Sequence, residues 1–183
     1  MKHVFYTAGL ILGFCSISPN MILASDQATT SLISEAEGHR NLGQTSSGGG
    51  NHRQAAQHYD NAAECYDKDY KTTKNNEVLG HAAAMFSWAA SSYKQAGDDA
   101  LARHRFGVAA TLYSTKYVLE NDPKDYGSWA SCYKKEGSDY LNRFDPAILL
   151  QAANSFGDKW PTEAEQARDM AAEITAARAA SQH

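Results

Sequence analysis

The groups in this chain with chemistry to offer are few. They are histidines at 39, 52, 58, 81 and 104, the thiols of Cys65 and Cys132, and the tripeptides Asp67-Lys68-Asp69 and Arg103-His104-Arg105. No HExxH, GxSxG or CxxC occurs, so a metallohydrolase, a nucleophile elbow and a dithiol site all lack their local motif. The histidines never recur at i and i+4, the spacing that puts two imidazoles on one helical face, and so read as surface or packing residues. Asp67 and Asp69 flank a lysine, the pattern of a solvated helix face rather than of a metal centre. Between Asp122 and Trp129, Lys124 and Tyr126 stand where a calcium loop needs oxygen ligands. The Gly-rich stretch QTSSGGGN at 44–51 has neither a following Lys-Ser/Thr nor a preceding strand, so it reads as a flexible linker and not a phosphate cradle. These patterns assign no catalytic residue, no metal and no cofactor. A small all-α enzyme or ligand carrier of unknown reaction stays as the alternative function, because catalytic residues need not share a local motif.

The elements that carry these residues are constrained by composition. The chain has 183 residues, 43% hydrophobic and 21% charged, with a net charge of −4. That excludes collagen and bulk disorder, and it supplies no global positive field for nucleic acid. Residues 1–24 read as a secretory signal: Lys2 and His3 precede an apolar run from Val4 to Phe14, and a small-residue end falls at Ala24. A lipoprotein reading of Cys15 is disfavoured by bulky Phe14 just before it, and a buried N-terminal helix is the competing interpretation. Cleavage after Ala24 predicts an exported chain, periplasmic or extracellular, with no stable membrane insertion. In such an oxidising compartment Cys65 and Cys132 are an even pair, either bridged or simply buried.

The mature chain divides into 25–51, a weak N-terminal helix with the Gly/Ser linker, and 52–183, a helical domain. Apolar residues at threes and fours predict helices over 52–71, about 75–96 and about 98–120. Gly97 suits a left-handed helix end, and Asp98 suits the cap that follows. Asp122-Pro123 and Asp145-Pro146 each place a capping carboxylate before a first-turn proline. Thr162 and Glu165 form a capping box for a last helix over 162–181, an Ala-rich segment with the composition of a solenoid cap or a self-association surface.

A pentad, Ala-Ala-x-x-aromatic, recurs at 55–59, 62–66, 89–93, 109–113 and 152–156, with the variant WASCY at 129–133. Paired small residues let two helices approach closely, and the ring one turn later fills the gap. The pentad is therefore expected to join neighbouring helices. Residues 86–109 set Phe86, Ala89, Ala90, Tyr93, Gly97 and Asp98 ahead of Ala102, Phe106 and Ala109. This resembles the tetratricopeptide pattern, and the half-unit Tyr126, Trp129, Ala130, Tyr133, Gly137 repeats its beginning forty residues on. The irregular spacing is similar to the divergent, SNAP-type helical layers of that broad family. The fold expected is all-α, antiparallel helix pairs stacked as a short right-handed solenoid, with a closed Ala-rich bundle as the alternative.

The resemblance implies a concave groove lined by first-helix positions, which here are Ser87, Ser91 and Lys94, then Ser131, Lys134 and Lys135. Lys94, Lys134 and Lys135 would attract an acidic peptide or protein partner, with the serines leaving room for its backbone. The expected function is an exported protein–protein interaction scaffold.

Overall fold

The computed structural model describes residues 19–137 and 140–181, with side chains from Thr30 onward. Among the described residues the chain is all-α: α1 Pro19–Gly48, α2 His52–Thr73, α3 Asn76–Gln95, α4 Asp99–Glu120, α5 Pro123–Glu136, α6 Pro146–Phe156, a 3-10 turn Gly157–Lys159, and α7 Pro161–Ala180. The expected leader over 1–24 lies outside the described residues except for its end, where α1 begins. No described helix is long and apolar enough to cross a membrane.

Short polar residues set the helix starts. The side chains of Asn51, Asn75, Asp98, Asp122 and Asp145 each accept from a backbone N–H of the following first turn. The α3–α4 corner is a complete Schellman ending. Gly97 takes φ 79°, its N–H donates to the Lys94 carbonyl, and the Asp98 N–H reaches back to the Tyr93 carbonyl. Asp98 then caps α4.

Two expected boundaries are corrected. Residues 44–51 are not a flexible linker, because α1 stays helical through Gly48 and only a tight turn precedes the Asn51 cap. Thr45 holds its own helix by donating to the Asn41 carbonyl, and Gly43 lies beneath the Tyr59 ring, where an added Cβ would come within 2.6 Å of ring carbon. Packing on α2 thus outweighs the poor helix propensity of that stretch. The last helix starts one residue before the expected box. Pro161, whose fixed φ suits a first helical position, opens α7 with no side-chain cap bond.

Each helix packs chiefly on its chain neighbours, and α5 also touches α7. The buried residues fall into three clusters along this order: one across α1–α5, a second joining α5, Phe144, α6 and α7, and a third between α6 and α7. The core is strung along a repeat-like series of layers. The pentads supply much of it: Ala55, Ala56, Ala62, Ala63, Ala89, Ala90, Ala109, Ala110, Ala152 and Ala153 are all buried, as are Tyr59, Tyr66, Tyr93 and Phe156.

Candidate functional site

Helical periodicity puts Ser87, Ser91 and Lys94 on one stripe of α3 and Ser131 and Lys135 on one stripe of α5. The two stripes meet across a gap whose far wall is α7. There, Ser87, Ser131, Cys132, Lys135, Gln166 and Glu163 help line a cavity of about 160 Å³ with Trp88 and Phe156 at its sides. Gly127 of α5 makes the fit to α6 behind it tight, since a Cβ there would lie 2.9 Å from the Ala152 Cβ. The volume is below the ~300–1,000 Å³ typical of pockets that enclose a whole small ligand. It is a side-chain-sized, mostly polar opening.

The polar groups in this opening are hydrogen-bonding rather than nucleophilic. Ser131 Oγ donates to Gln166 Oε1 at 3.2 Å, and the Cys132 thiol donates to Ser87 Oγ at 3.8 Å. Burial pushes the Cys132 thiol up to about 11, so at neutral pH it is a protonated thiol and not a thiolate. Burial also raises the phenol of Tyr113, another lining residue. Among the described residues the partners of the Ser131 and Ser87 hydroxyls are Gln166 and Cys132, and the Glu163 carboxylate lines the same opening without bonding to either. Cys65 of α2 and Cys132 of α5 are both buried free thiols, so the expected alternatives resolve to packing rather than a bridge.

Lys135 also belongs to the surface beside this opening, which it shares with Ser91, Lys94, Arg103 and the edge of Phe106. Its ammonium lies 5.6 Å from the Phe106 ring centre. Among the described residues Lys94, Arg103 and Lys135 have no ion-pair partner, while Asp99 is the one carboxylate lining this surface with them. Three cations therefore face one acid on this surface, and Glu163 adds a second carboxylate in the opening beside it. Lys134 goes elsewhere: its Nζ sits 2.7 Å from Glu173 Oε2 of α7 and 5.0 Å from the Tyr140 ring centre. Of the six residues expected in a groove, five line this continuous face and Lys134 is tied to α7.

Arg103, Phe106, Gln166 and Glu163 complete the face and were not singled out for it from sequence. For Arg103 a signal exists. Residues two apart on a helix point about 200° apart, so Arg103 and Arg105 cannot act together. Arg105 instead turns inward to Asp60. His81 packs at a tilt against the Tyr66 ring, His39 and His58 stack on each other, and His104 is exposed. Among the described residues no cluster of three or more His, Cys, Asp or Glu side chains is arranged to hold a metal. Compared with known proteins, the chain matches no family model and no curated sequence.

Proposed function

We propose that this protein is an exported interaction scaffold whose face, formed by α3, α4, α5 and α7, docks an acidic peptide segment of a partner protein. The tetratricopeptide-like reading of the repeat supports this, since stacked helix pairs present first-helix residues along one extended surface. The observation that carries it is the grouping of Lys94, Arg103 and Lys135, without ionic partners among the described residues, around Phe106 and beside a polar opening. Cations left unpaired on one surface attract a chain bearing carboxylates. Ser87, Ser131 and Gln166 then offer hydrogen bonds to a side chain or backbone entering the opening.

The experiment is fluorescence anisotropy with a labelled oligoglutamate peptide and its oligoglutamine counterpart. Oligoglutamate should bind more tightly, weaken with added salt, and lose its advantage in the Lys94→Glu/Lys135→Glu protein. Equal binding of the two peptides, or an unaffected double variant, overturns the reading.

A further inference from the structure

A second opening lies away from the peptide face, between α4, α5 and the turn after α5. It measures about 480 Å³ and is lined by His104, Gly107, Thr111, Trp129, Glu136 and Arg143 among others. This volume falls within the ~300–1,000 Å³ range of small-ligand sites. Two opposite charges stand in it, and each is held by something other than a salt bridge. The Arg143 guanidinium carbon lies 4.8 Å from the Tyr133 ring centre and 5.6 Å from that of Trp129, and Nη1 donates to the Tyr133 hydroxyl at 3.3 Å. Lying over two rings and bonded through Nη1, the guanidinium keeps further N–H groups free to donate. The Glu136 carboxylate is half-buried and rests over Gly107. A Cβ at that position would meet Glu136 Oε1 at 2.8 Å.

Among the described residues neither Arg143 nor Glu136 has an ion-pair partner, and they do not pair with each other. The hydroxyls beside them add a direction. Thr111 Oγ1 donates to the Gly107 carbonyl at 3.0 Å, and Ser114 Oγ donates to the Thr111 carbonyl at 2.8 Å. With their protons so used, both oxygens present lone pairs to the opening and favour a donor such as an ammonium. The opening thus offers a carboxylate-binding fork, an ammonium-binding acid with acceptor hydroxyls, and an aromatic and aliphatic wall from Trp129 and Val108.

From this arrangement we infer that the opening binds a free neutral α-amino acid, its carboxylate on Arg143, its ammonium on Glu136 and its apolar side chain against Trp129. A peptide carries its two terminal charges far apart, whereas a free amino acid carries both on one carbon. The inference does not depend on the peptide-docking face.

Isothermal titration of the full chain with leucine, methionine and phenylalanine tests it, alongside phenylalanine methyl ester and N-acetylphenylalanine. At least one free amino acid should bind, and blocking either charge should weaken binding roughly tenfold or more, as expected for loss of a charged hydrogen bond. Glu136→Gln and Arg143→Gln should each weaken binding of the free amino acid. Glu136→Gln should leave the N-acetyl compound unchanged, and Arg143→Gln the methyl ester. Gly107→Ala, which pushes the carboxylate aside, should weaken it too. Helicity and thermal unfolding of each variant separate loss of the site from loss of the fold. The Lys94→Glu/Lys135→Glu protein should bind the amino acid as the parent does. No binding of any of the three at millimolar concentration, or equal binding of the blocked compounds, overturns the inference.

Discussion

Lys134 and Lys135 are adjacent on α5, yet their ammonium groups part. One lies 2.7 Å from Glu173 of α7, and the other lies over the Phe106 ring of α4 with no carboxylate partner among the described residues. The fates of the two lysines should differ accordingly. Lys134→Ala removes a largely exposed ion pair, which costs about 0–1 kcal/mol of stability. It should leave oligoglutamate affinity within a factor of two or so, since an exposed pair contributes little. Lys135→Glu should weaken that affinity much more. Chemical denaturation and peptide anisotropy on the two single variants check both halves.

The buried link between α2 and α4 sets a larger stability effect. Asp60 accepts from Arg105 Nε and from the Tyr93 hydroxyl, the latter at 3.0 Å, and burial raises its carboxyl despite the Arg105 charge. Removing the cation alone strands a buried carboxylate. Arg105→Met should cost about 2–4 kcal/mol at neutral pH, somewhat below a fully buried pair because the arginine is partly exposed. Adding Asp60→Leu should recover most of that loss. Urea unfolding of the single and double variants measures it.

Asp69, expected on a solvated helix face, is instead buried and gives a pH test. Its side chain is 1% exposed, neither oxygen finds a hydrogen-bond partner among the described residues, and burial raises its carboxyl above the usual range. Between the ordinary carboxylate value and the raised one, the folded chain holds a proton that the unfolded chain has released. The contribution of Asp69 to stability is therefore greatest below that window and falls as pH rises through it. Asp69→Asn should be more stable than the parent above the window, by about 1–3 kcal/mol. The difference should shrink on acidification. Thermal unfolding across the acid-to-neutral range reads it.

Thiol chemistry follows from burial. With Cys132 pushed up to about 11 and Cys65 also raised by burial, alkylation by iodoacetamide at neutral pH should be slow in the folded protein and fast once it is unfolded. Intact mass under non-reducing conditions should correspond to two free thiols at these positions.

Much of this architecture is legible one turn at a time. The pentads point inward because small residues and a ring at fixed helical spacing have only one use in a packed pair. Gly97 and Asp98 form the corner that their conformational preferences require. The end of α1 is not legible in that way. Ser, Thr and Gly at 45–48 favour a loop locally, and the fit of Gly43 beneath Tyr59, sixteen positions on, helps keep them helical. The candidate site has the same limit. Stripe spacing on α3 identifies Ser87, Ser91 and Lys94. By contrast, the choice between Lys134 and Lys135 is made by Glu173, a residue 39 positions away on another helix.

The most direct measurement of the docking account is a 1H–15N correlation spectrum of the labelled protein titrated with oligoglutamate. Amides around Lys94, Arg103, Phe106 and Lys135 should shift first, those near Ser87 and Ser131 with them, while α1 and α2 stay still. Shifts centred on any other face, or none at all, contradict it.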